Sequence, residues 1–522
     1  MRGVVASAAI AGGFFALNLP RVLRHAMWRD ELQAWLIARD SPTLCSLFHN
    51  LRYEGHPGLW HLSLWLLRHA SARPTAMALF HLLIGSAVVG LFVRKSPFPL
   101  PVRLLFALGY FPLFEYLVLC RGYSLGVLCA FGFCAVRSPW LRGLMLLLLC
   151  QTSIYGVLLA AGLAVLALGE ARFAVLAPLL AGVVLCALQV IPPADSQYSL
   201  APLRWDAHRL AQTVAQLQSA FTLAPPLGTD FAAAPVFERL TLPCRVVLAL
   251  ALAALVGLGL RRRPAAALGF FVGALGVLGF GYLHPYASGD LHHIGTLFVL
   301  LLACAWLTPL SRLGVAALTV LLLVQAGAGV AVSIHEYRHP LSAGRATAAY
   351  IERQGLGDRM LLVGGHDSAA SAVAGYLRAP LYYANRAQAG TFVIWDRTRR
   401  RLTEPELRER MARLAQTSSR ELLLISNAPL SGLTPLARFE DSLLESERFY
   451  LYHWRSIIRA HANHSTGRRK LGHRARQAAW RRRSRGGTVD ALARPCARSG
   501  GAARKRKIPA GRDAARDHRA HG

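Results

Sequence analysis

Carboxylate and histidine side chains are concentrated in a polar stretch near the N-terminus, residues 20–73. Asp30 and Glu31 are adjacent there, and Glu54 and His56 follow within the same stretch. Carboxylates and imidazoles are the groups that most often move protons in catalysis. Adjacent residues on a helix point about 100° apart, so we expect one of Asp30 and Glu31 to face a cavity while the other caps the helix or forms an ion pair. The alternative is that both are N-terminal charges favoured by the helix dipole.

A second cluster combines three histidines with one carboxylate within ten residues: His284, Asp290, His292 and His293. Such a set suggests metal ligands, but no two of these histidines have the i,i+4 spacing of a helical ligand pair. We therefore expect His284 and His292 to contribute to the polar wall of a substrate cavity. A divalent cation and simple anchoring at a membrane interface are the alternatives.

The composition indicates which kind of protein framework holds these residues. The chain has 522 residues, 54% of them hydrophobic and 16% charged, with a mean hydropathy of +0.35 and a formal net charge of +32. Soluble domains carry about 25% charged residues, so the sequence excludes a soluble enzyme. The nine cysteines show no CxxC spacing, which excludes a disulfide scaffold. A net charge of +17 lies in residues 455–522 alone, where 20 Lys and Arg face 3 Asp.

Apolar runs near 20 residues recur along the chain, and this is the length at which a helix crosses about 30 Å of hydrocarbon. We predict about eleven transmembrane helices, at 3–19, 74–93, 101–119, 122–136, 139–152, 153–169, 172–191, 243–260, 265–283, 291–309 and 313–333. Placing the basic loops in the cytoplasm puts residues 20–73, Arg121, 192–242 and the region after 334 outside. We expect helices within 20–73 to lie in the membrane interface, with tryptophans at headgroup depth.

Strands and helices alternate after the predicted transmembrane domain, 1–333, and predict a small extracytoplasmic α/β domain at 334–458. Its predicted helices are 341–355, 367–378 and 404–416, and its predicted strands are 359–364, 380–384, 391–395, 421–426 and 448–453. Residues 459–522 are rich in Arg, Ala and Gly without periodicity, and we predict that they form a disordered basic tail.

The first polar stretch resembles that of the GT-C superfamily of polytopic membrane glycosyltransferases, which includes the protein O-mannosyltransferases and the lipid A aminoarabinose transferases. The pair Asp30-Glu31 follows the first predicted span, as an Asp-Glu pair does in that family. His56-Pro57 is similar to the family's His-Pro motif later in the same loop.

Two further motifs add to the resemblance. Arg121-Gly-Tyr123 resembles the family's Arg-x-Tyr turn at the outer end of the third span. Gln151–Gly156 resembles the next outer turn, with Ser153 where the family often has histidine. The resemblance covers about residues 1–200 and does not extend to the α/β domain.

The resemblance implies a GT-C-like fold and an enzyme in a bacterial inner membrane with its site facing outside the cytoplasm. Such enzymes move a hexose or pentose from a polyprenyl-phosphate donor to a hydroxyl of a glycan, lipid or protein, usually with inversion. Inverting transfer needs a carboxylate that accepts the acceptor's proton and cationic groups that hold the leaving phosphate.

The roles that the resemblance implies are specific. Asp30 is the general base, and Glu31 orients the acceptor or a cation. Arg121, with Tyr123 beside it, binds the phosphate, since a guanidinium binds phosphate oxygens bidentately. His56 contacts phosphate or sugar, or caps a helix. Glu54 pairs with Arg121 or another cation.

Two other functions remain as alternatives. One is a transporter or flippase of a lipid-linked sugar, in which the same carboxylates form a substrate or proton relay. Transporters tend to contain internal repeats, which this sequence lacks. The other is a member of the family that binds an envelope glycolipid without transferring it. The sequence contains no P-loop, which fits a lipid-linked donor, and we expect no nucleic-acid partner despite the basic tail.

Overall fold

The computed structural model describes residues 2–167, 172–198, 205–224, 234–284 and 290–454. Met1–Arg459 is one compact unit, and Ala460–Gly522 is a second. The predicted basic tail, 459–522, lies outside the described residues, so its predicted disorder stays a prediction.

Helices dominate the described part of the chain. Those before residue 340 are α1 (Arg2–Arg24), α2 (Arg29–Asp40), α3 (Leu44–Leu51), α4 (Leu59–Leu67), α5 (Pro74–Lys95), α6 (Leu100–Leu108), α7 (Tyr123–Ala135), α8 (Pro139–Cys150), α9 (Ile154–Val165), α10 (Arg172–Val190), α11 (Ala207–Ala215), α12 (Leu242–Leu260), α13 (Pro264–Leu283), α14 (Leu291–Trp306) and α15 (Arg312–Arg338). Five of them, α5, α6, α8, α12 and α13, have proline in the first turn, where its missing N–H leaves no helical hydrogen bond unmade.

Six of these helices are long and apolar enough to cross a membrane: α1, α5, α10, α12, α13 and α15. The chain is therefore consistent with a helical membrane protein, but the eleven predicted spans are not confirmed. Helices α7, α8, α9 and α14 are apolar but have only 12 to 16 residues. Twelve residues rise about 18 Å, well short of a 30 Å hydrocarbon layer.

The predicted span at 101–119 is broken in the structure. Helix α6 ends at Leu108, and a π-helical turn, Phe111–Glu115, replaces its continuation. Gly109 adopts an extended conformation, and Pro112 at the start of the turn has no N–H to donate. The chain then forms an irregular turn that contains Arg121. The candidate site lies at this turn.

The α/β part contains α16 (Gly344–Arg353), α17 (Leu356–Arg359), α18 (Asp367–Leu377) and α19 (Glu404–Thr417). Its strands, numbered after the short antiparallel pair β1 (Leu223–Ala224) and β2 (Ala234–Pro235), are β3 (Met360–Gly364), β4 (Leu381–Tyr383), β5 (Gln388–Gly390), β6 (Glu421–Ser426), β7 (Ala437–Phe439) and β8 (Phe449–Trp454). They form one sheet in the order β5-β4-β3-β6-β8-β7, in which β3 runs parallel to β4 and β6. Its predicted helices and four of its five predicted strands are confirmed.

The predicted strand at 391–395 is wrong. Strand β5 comes earlier, at Gln388–Gly390, and residues 391–395 form a loop instead. The apolar Phe392, Val393 and Ile394 suggested a strand, but the backbone of Val393 hydrogen-bonds to the side chain of Gln33 rather than to another strand. Strand β7 was not predicted.

Both faces of the sheet are covered. In β6, Leu423 and Ile425 pack into the large core shared with the helices, whereas Leu422 and Leu424 pack with Met411 of α19 in a smaller core. A strand buried on both faces is typically a continuous apolar run, as β6 is.

Helix α2 is enclosed by protein. Leu32, Trp35 and Leu36 are fully buried, and a Cβ on Gly375 of α18 would lie 3.1 Å from Leu32. Trp35 is therefore surrounded by protein and does not contact lipid headgroups with its side chain, while the predicted depth of this helix in a membrane stays a prediction. This contact brings the start of α2 beside the α/β part.

Candidate functional site

A cavity of about 210 Å³ lies where α2, the loop after α3, the Arg121 turn and the α/β part meet. It is lined by Arg29, Asp30, Gln33, Ala34, Glu54, His56, Trp60, His61, Cys120, Arg121, Gly122, Tyr123, Thr152, Tyr198, Ser368, Ser371, Val393 and Trp395. Most of the predicted site residues are in this set. Glu31, His284 and His292 are not.

Asp30 and Glu31 point in different directions, as the helical geometry predicts. Asp30 lies on the cavity wall with its side chain 38% exposed, and Arg29 Nε is 3.7 Å from its Oδ1. Glu31 is fully buried and accepts hydrogen bonds from the backbone N–H groups of Trp28 (3.1 Å) and Cys120 (2.8 Å). Glu31 thus ties the start of α2 to the Arg121 turn, and it does not occupy a position from which it would orient an acceptor in the cavity.

His25 lies between two buried carboxylates and was missed by sequence reasoning. Its Nε2 is 3.0 Å from Glu31 Oε2, and its Nδ1 is 2.8 Å from Glu336 Oε1. Burial lowers the pKa of His25, but the two carboxylates outweigh burial and raise it to about 10. An imidazolium here joins α1, α2 and α15, and Arg21 adds a second cation 3.4 Å from Glu336. His25 precedes Glu31 by six residues, which is not a spacing that places two residues on one helix face, so the sequence does not reveal this contact.

The Arg121 turn is held from behind by a buried histidine. His81 Nδ1 lies 2.7 Å from the carbonyl oxygen of Leu117, and Nε2 lies 3.0 Å from that of Arg121. The Arg121 guanidinium lies in the cavity wall and donates to His292 Nε2 at 3.1 Å, with its central carbon 5.4 Å from the Tyr123 ring centroid. The turn therefore presents a fixed cation to the cavity.

Glu54 does not form its predicted ion pair with Arg121. Its Oε1 accepts a hydrogen bond of 2.8 Å from Gln33 Nε2. Burial and the charge of Asp30 raise the pKa of Glu54 to about 7, against the lowering effect of the Gln33 hydrogen bond. A carboxyl group whose pKa is raised to about 7 therefore lies in the same cavity as Asp30.

His56 is oriented by the chain that carries it. Its Nδ1 lies 2.7 Å from the carbonyl oxygen of Glu54, so Nδ1 carries the proton and donates it. Burial and the charge of Arg121 lower the pKa of His56. A neutral imidazole with a free electron pair on Nε2 therefore faces the cavity.

The second histidine cluster supports Arg121 rather than lining the cavity. Asp290, His292 and His293 bring possible metal-ligand atoms within 4.8 Å of one another. His292 Nε2 accepts the hydrogen bond of Arg121, so a metal at this cluster would use His292 Nδ1 or displace that hydrogen bond. The divalent cation stays an alternative prediction. His284 lies apart, with its ring 4.7 Å from that of Phe280.

The α/β part supplies a wall of the cavity that sequence reasoning missed. Gln33 Nε2 donates to the carbonyl oxygen of Val393 at 2.8 Å, and Gln33 Oε1 accepts from the N–H of Val393 at 2.9 Å. This reciprocal pair fixes the 391–395 loop over α2, with Trp395 in the cavity wall beside Tyr198. Gln33 follows Asp30 by three residues and so lies on the same helix face, which is the one signal that would have found it.

Comparison with protein-family models, with curated proteins and with solved structures finds no match for this chain.

Proposed function

We propose that the chain is an integral-membrane glycosyltransferase that moves a sugar from a polyprenyl-phosphate donor to an acceptor hydroxyl. The observation that carries the proposal is that Asp30, His56 and Arg121 line one cavity, although they belong to three separate segments of the chain. Transfer from a lipid phosphate requires a base and a phosphate ligand in the same place, and this cavity contains both.

Asp30 is the general base of the proposed reaction. Its carboxylate is partly exposed in the cavity and is accompanied by Arg29 at 3.7 Å. It accepts the proton of the acceptor hydroxyl as the oxygen attacks the anomeric carbon and the bond to the phosphate breaks. Attack from the side opposite the phosphate gives inversion.

Arg121 holds the leaving phosphate. A guanidinium stays charged beside lipid and binds two phosphate oxygens at once. The His292 and His81 contacts fix its side chain and its backbone, so little reorganisation is needed as negative charge develops. Tyr123 lines the cavity next to it.

His56 and Glu54 contact the sugar. His56 Nε2 is an acceptor for a sugar hydroxyl, and Glu54, whose pKa is raised to about 7, is a donor in its protonated form. Glu31 is a positioning residue, because its carboxylate bonds the start of α2 to Cys120, the residue before Arg121. We place the enzyme in a bacterial inner membrane with the cavity outside the cytoplasm and a glycan, lipid or protein as acceptor.

The test uses purified protein with a radiolabelled polyprenyl-phosphate sugar and membrane acceptors. Asp30→Asn is expected to lower transfer by at least about 100-fold, the usual contribution of a general base, while donor binding is kept. Arg121→Gln is expected to weaken donor binding by about 10- to 100-fold, because a charged hydrogen bond is lost.

Asp358→Asn is the matched control, since Asp358 is exposed on α17 outside the cavity, and it should transfer normally. Transfer at the normal rate in Asp30→Asn would refute the base, and unchanged binding in Arg121→Gln would refute the phosphate ligand. Movement of the labelled lipid across vesicles without transfer would instead identify a flippase.

A further inference from the structure

An apolar groove lies at the end of the helices opposite the cavity. It has a volume of about 440 Å³, and its walls come mainly from α12, α14 and α15, including Leu252, Leu260 and Leu301. Leu310, just before α15, and Phe221 and Thr222, just before β1, also line it. Helix α14 connects the two sites: His292 near its start contacts Arg121, and Ala305 near its end lines the groove. Ala305 follows His292 by thirteen positions, a rise of about 20 Å, so the groove and the cavity are separate.

The dimensions of the groove match one leaflet of a bilayer. It runs along α12 from Leu252 to Leu260, a rise of about 12 Å, and the hydrocarbon of one leaflet is about 15 Å thick. Gly259 lies in the wall, and a Cβ placed there would meet no atom within 4 Å. The groove is thus open at Gly259, and its length is close to that of the acyl chains of one leaflet.

Three arginines are close in sequence to residues that line one end of the groove. Arg261 and Arg262 directly follow Leu260, and Arg262 Nη1 lies 3.5 Å from the carbonyl oxygen of Leu310. Arg312 lies between Leu310 and Gly314, both of which line the groove. All three are exposed, and within the described ranges none forms an ion pair with a carboxylate. Helix α15 also begins here, and its positive dipole end favours an anion.

We infer that this groove binds an anionic phospholipid, with one acyl chain between α12 and α15 and the phosphate at Arg261, Arg262 and Arg312. The apolar wall excludes a soluble anion as the whole ligand, and three cations at the mouth favour a lipid of net negative charge over a zwitterionic one. Basic sites between membrane helices bind anionic headgroups for this reason. The inference does not depend on the proposed transfer reaction.

The experiment counts lipids retained on the full-length protein by native mass spectrometry, after exchange into phosphatidylglycerol or phosphatidylcholine with identical acyl chains. The unmodified protein is expected to retain phosphatidylglycerol preferentially. Replacement of Arg261 and Arg262 by glutamine should weaken that binding by about fivefold for each arginine, with Arg312→Gln adding a similar factor.

Two matched controls distinguish lipid binding in the groove from general attraction of anionic lipid to surface charge. Arg94→Gln with Lys95→Gln removes two charges at the end of α5, which lies at the same end of the bundle because Phe92 contacts Trp306 at 5.6 Å. This pair should leave the phosphatidylglycerol preference intact.

Gly259→Phe should fill the groove and lower retention of both lipids. Gly327→Phe, also in open space but outside the groove, should not lower it. An equal effect of the two charge pairs, or full lipid retention in Gly259→Phe, would overturn the inference.

Discussion

At the scale of single residues, adjacent carboxylates have different environments. Asp30 faces the cavity, whereas the Glu31 carboxylate is fully buried with His25 and two backbone N–H groups. An ionised carboxylate loses several kcal/mol of hydration on burial, so it needs these partners. The sequence predicts that the two side chains diverge but not which one enters the cavity, because that depends on where His25 and Cys120 lie.

The His25 contacts predict a pH-dependent stability. The pKa of His25 is raised to about 10 in the folded protein, against about 6.5 unfolded. Its contribution is therefore complete below pH 6.5 and is lost as pH rises through 10. Thermal unfolding in detergent should show falling stability between pH 6.5 and 10 in the unmodified protein. His25→Gln should be about 3–5 kcal/mol less stable at pH 6.5, and its stability should fall less across that interval than that of the unmodified protein. An unchanged slope in the variant would contradict this assignment.

The raised pKa of Glu54 predicts that the protein loses stability as pH rises from 4.5 to 7. Its pKa is raised to about 7, so the folded state keeps its proton between pH 4.5 and 7 while the unfolded state releases it. The stability of the unmodified protein should therefore decline over this interval relative to Glu54→Gln, which mimics the protonated form. Above pH 7 the difference should be constant. Parallel stability curves from pH 4.5 to 7 would show that Glu54 titrates normally.

At the scale of elements, an interrupted helix and a missing strand create the site. The break after α6 brings Arg121 to the cavity as part of an irregular turn, and the 391–395 loop closes the cavity because Gln33 binds its backbone. The apolar pattern predicts a span at 101–119 and a strand at 391–395, and neither forms. Local sequence does not reveal a π-helical turn, nor that a side chain will take the hydrogen bonds of a neighbouring strand.

Gln33 provides a test of that closure. Gln33→Ala leaves the N–H and C=O of the buried Val393 without these partners, and each unpaired buried group costs about 1–3 kcal/mol. Hydrogen exchange measured by mass spectrometry should become faster across 391–395. Thr391→Val removes only an exposed hydrogen bond of the same loop, to Asp40, and should change exchange much less. Equal protection in Gln33→Ala and the unmodified protein would show that the loop is held by other contacts.

At the scale of the whole molecule, segments from the first 200 residues and the α/β part build one cavity together. Asp30 and Arg121 come from the N-terminal third of the chain, and Ser371 and Trp395 come from the α/β part. The two parts belong to the same compact unit. The side of the membrane that this cavity faces stays a prediction.

Cysteine labelling tests the predicted orientation. Cys45 on α3 is exposed and lies in the 20–73 stretch that carries Asp30 and Glu54. With Cys244 and Cys496 replaced by serine, an impermeant maleimide should label intact cells at Cys45, since the remaining cysteines are buried. Cys45→Ser in the same background should abolish labelling. Labelling that appears only after the membrane is permeabilised would mean that the cavity faces the cytoplasm.

The sequence alone predicted a helical membrane protein, most elements of the α/β part and the candidates Asp30, His56 and Arg121. Hydropathy and strand alternation are local properties, so they can be read directly from neighbouring residues. Only the tertiary structure decided that these three residues meet, that Glu31 is turned inward, and that Gln33 and Trp395 complete the wall. Those relations join residues up to hundreds of positions apart, and they follow from how buried charges and backbone groups find partners once the helices pack.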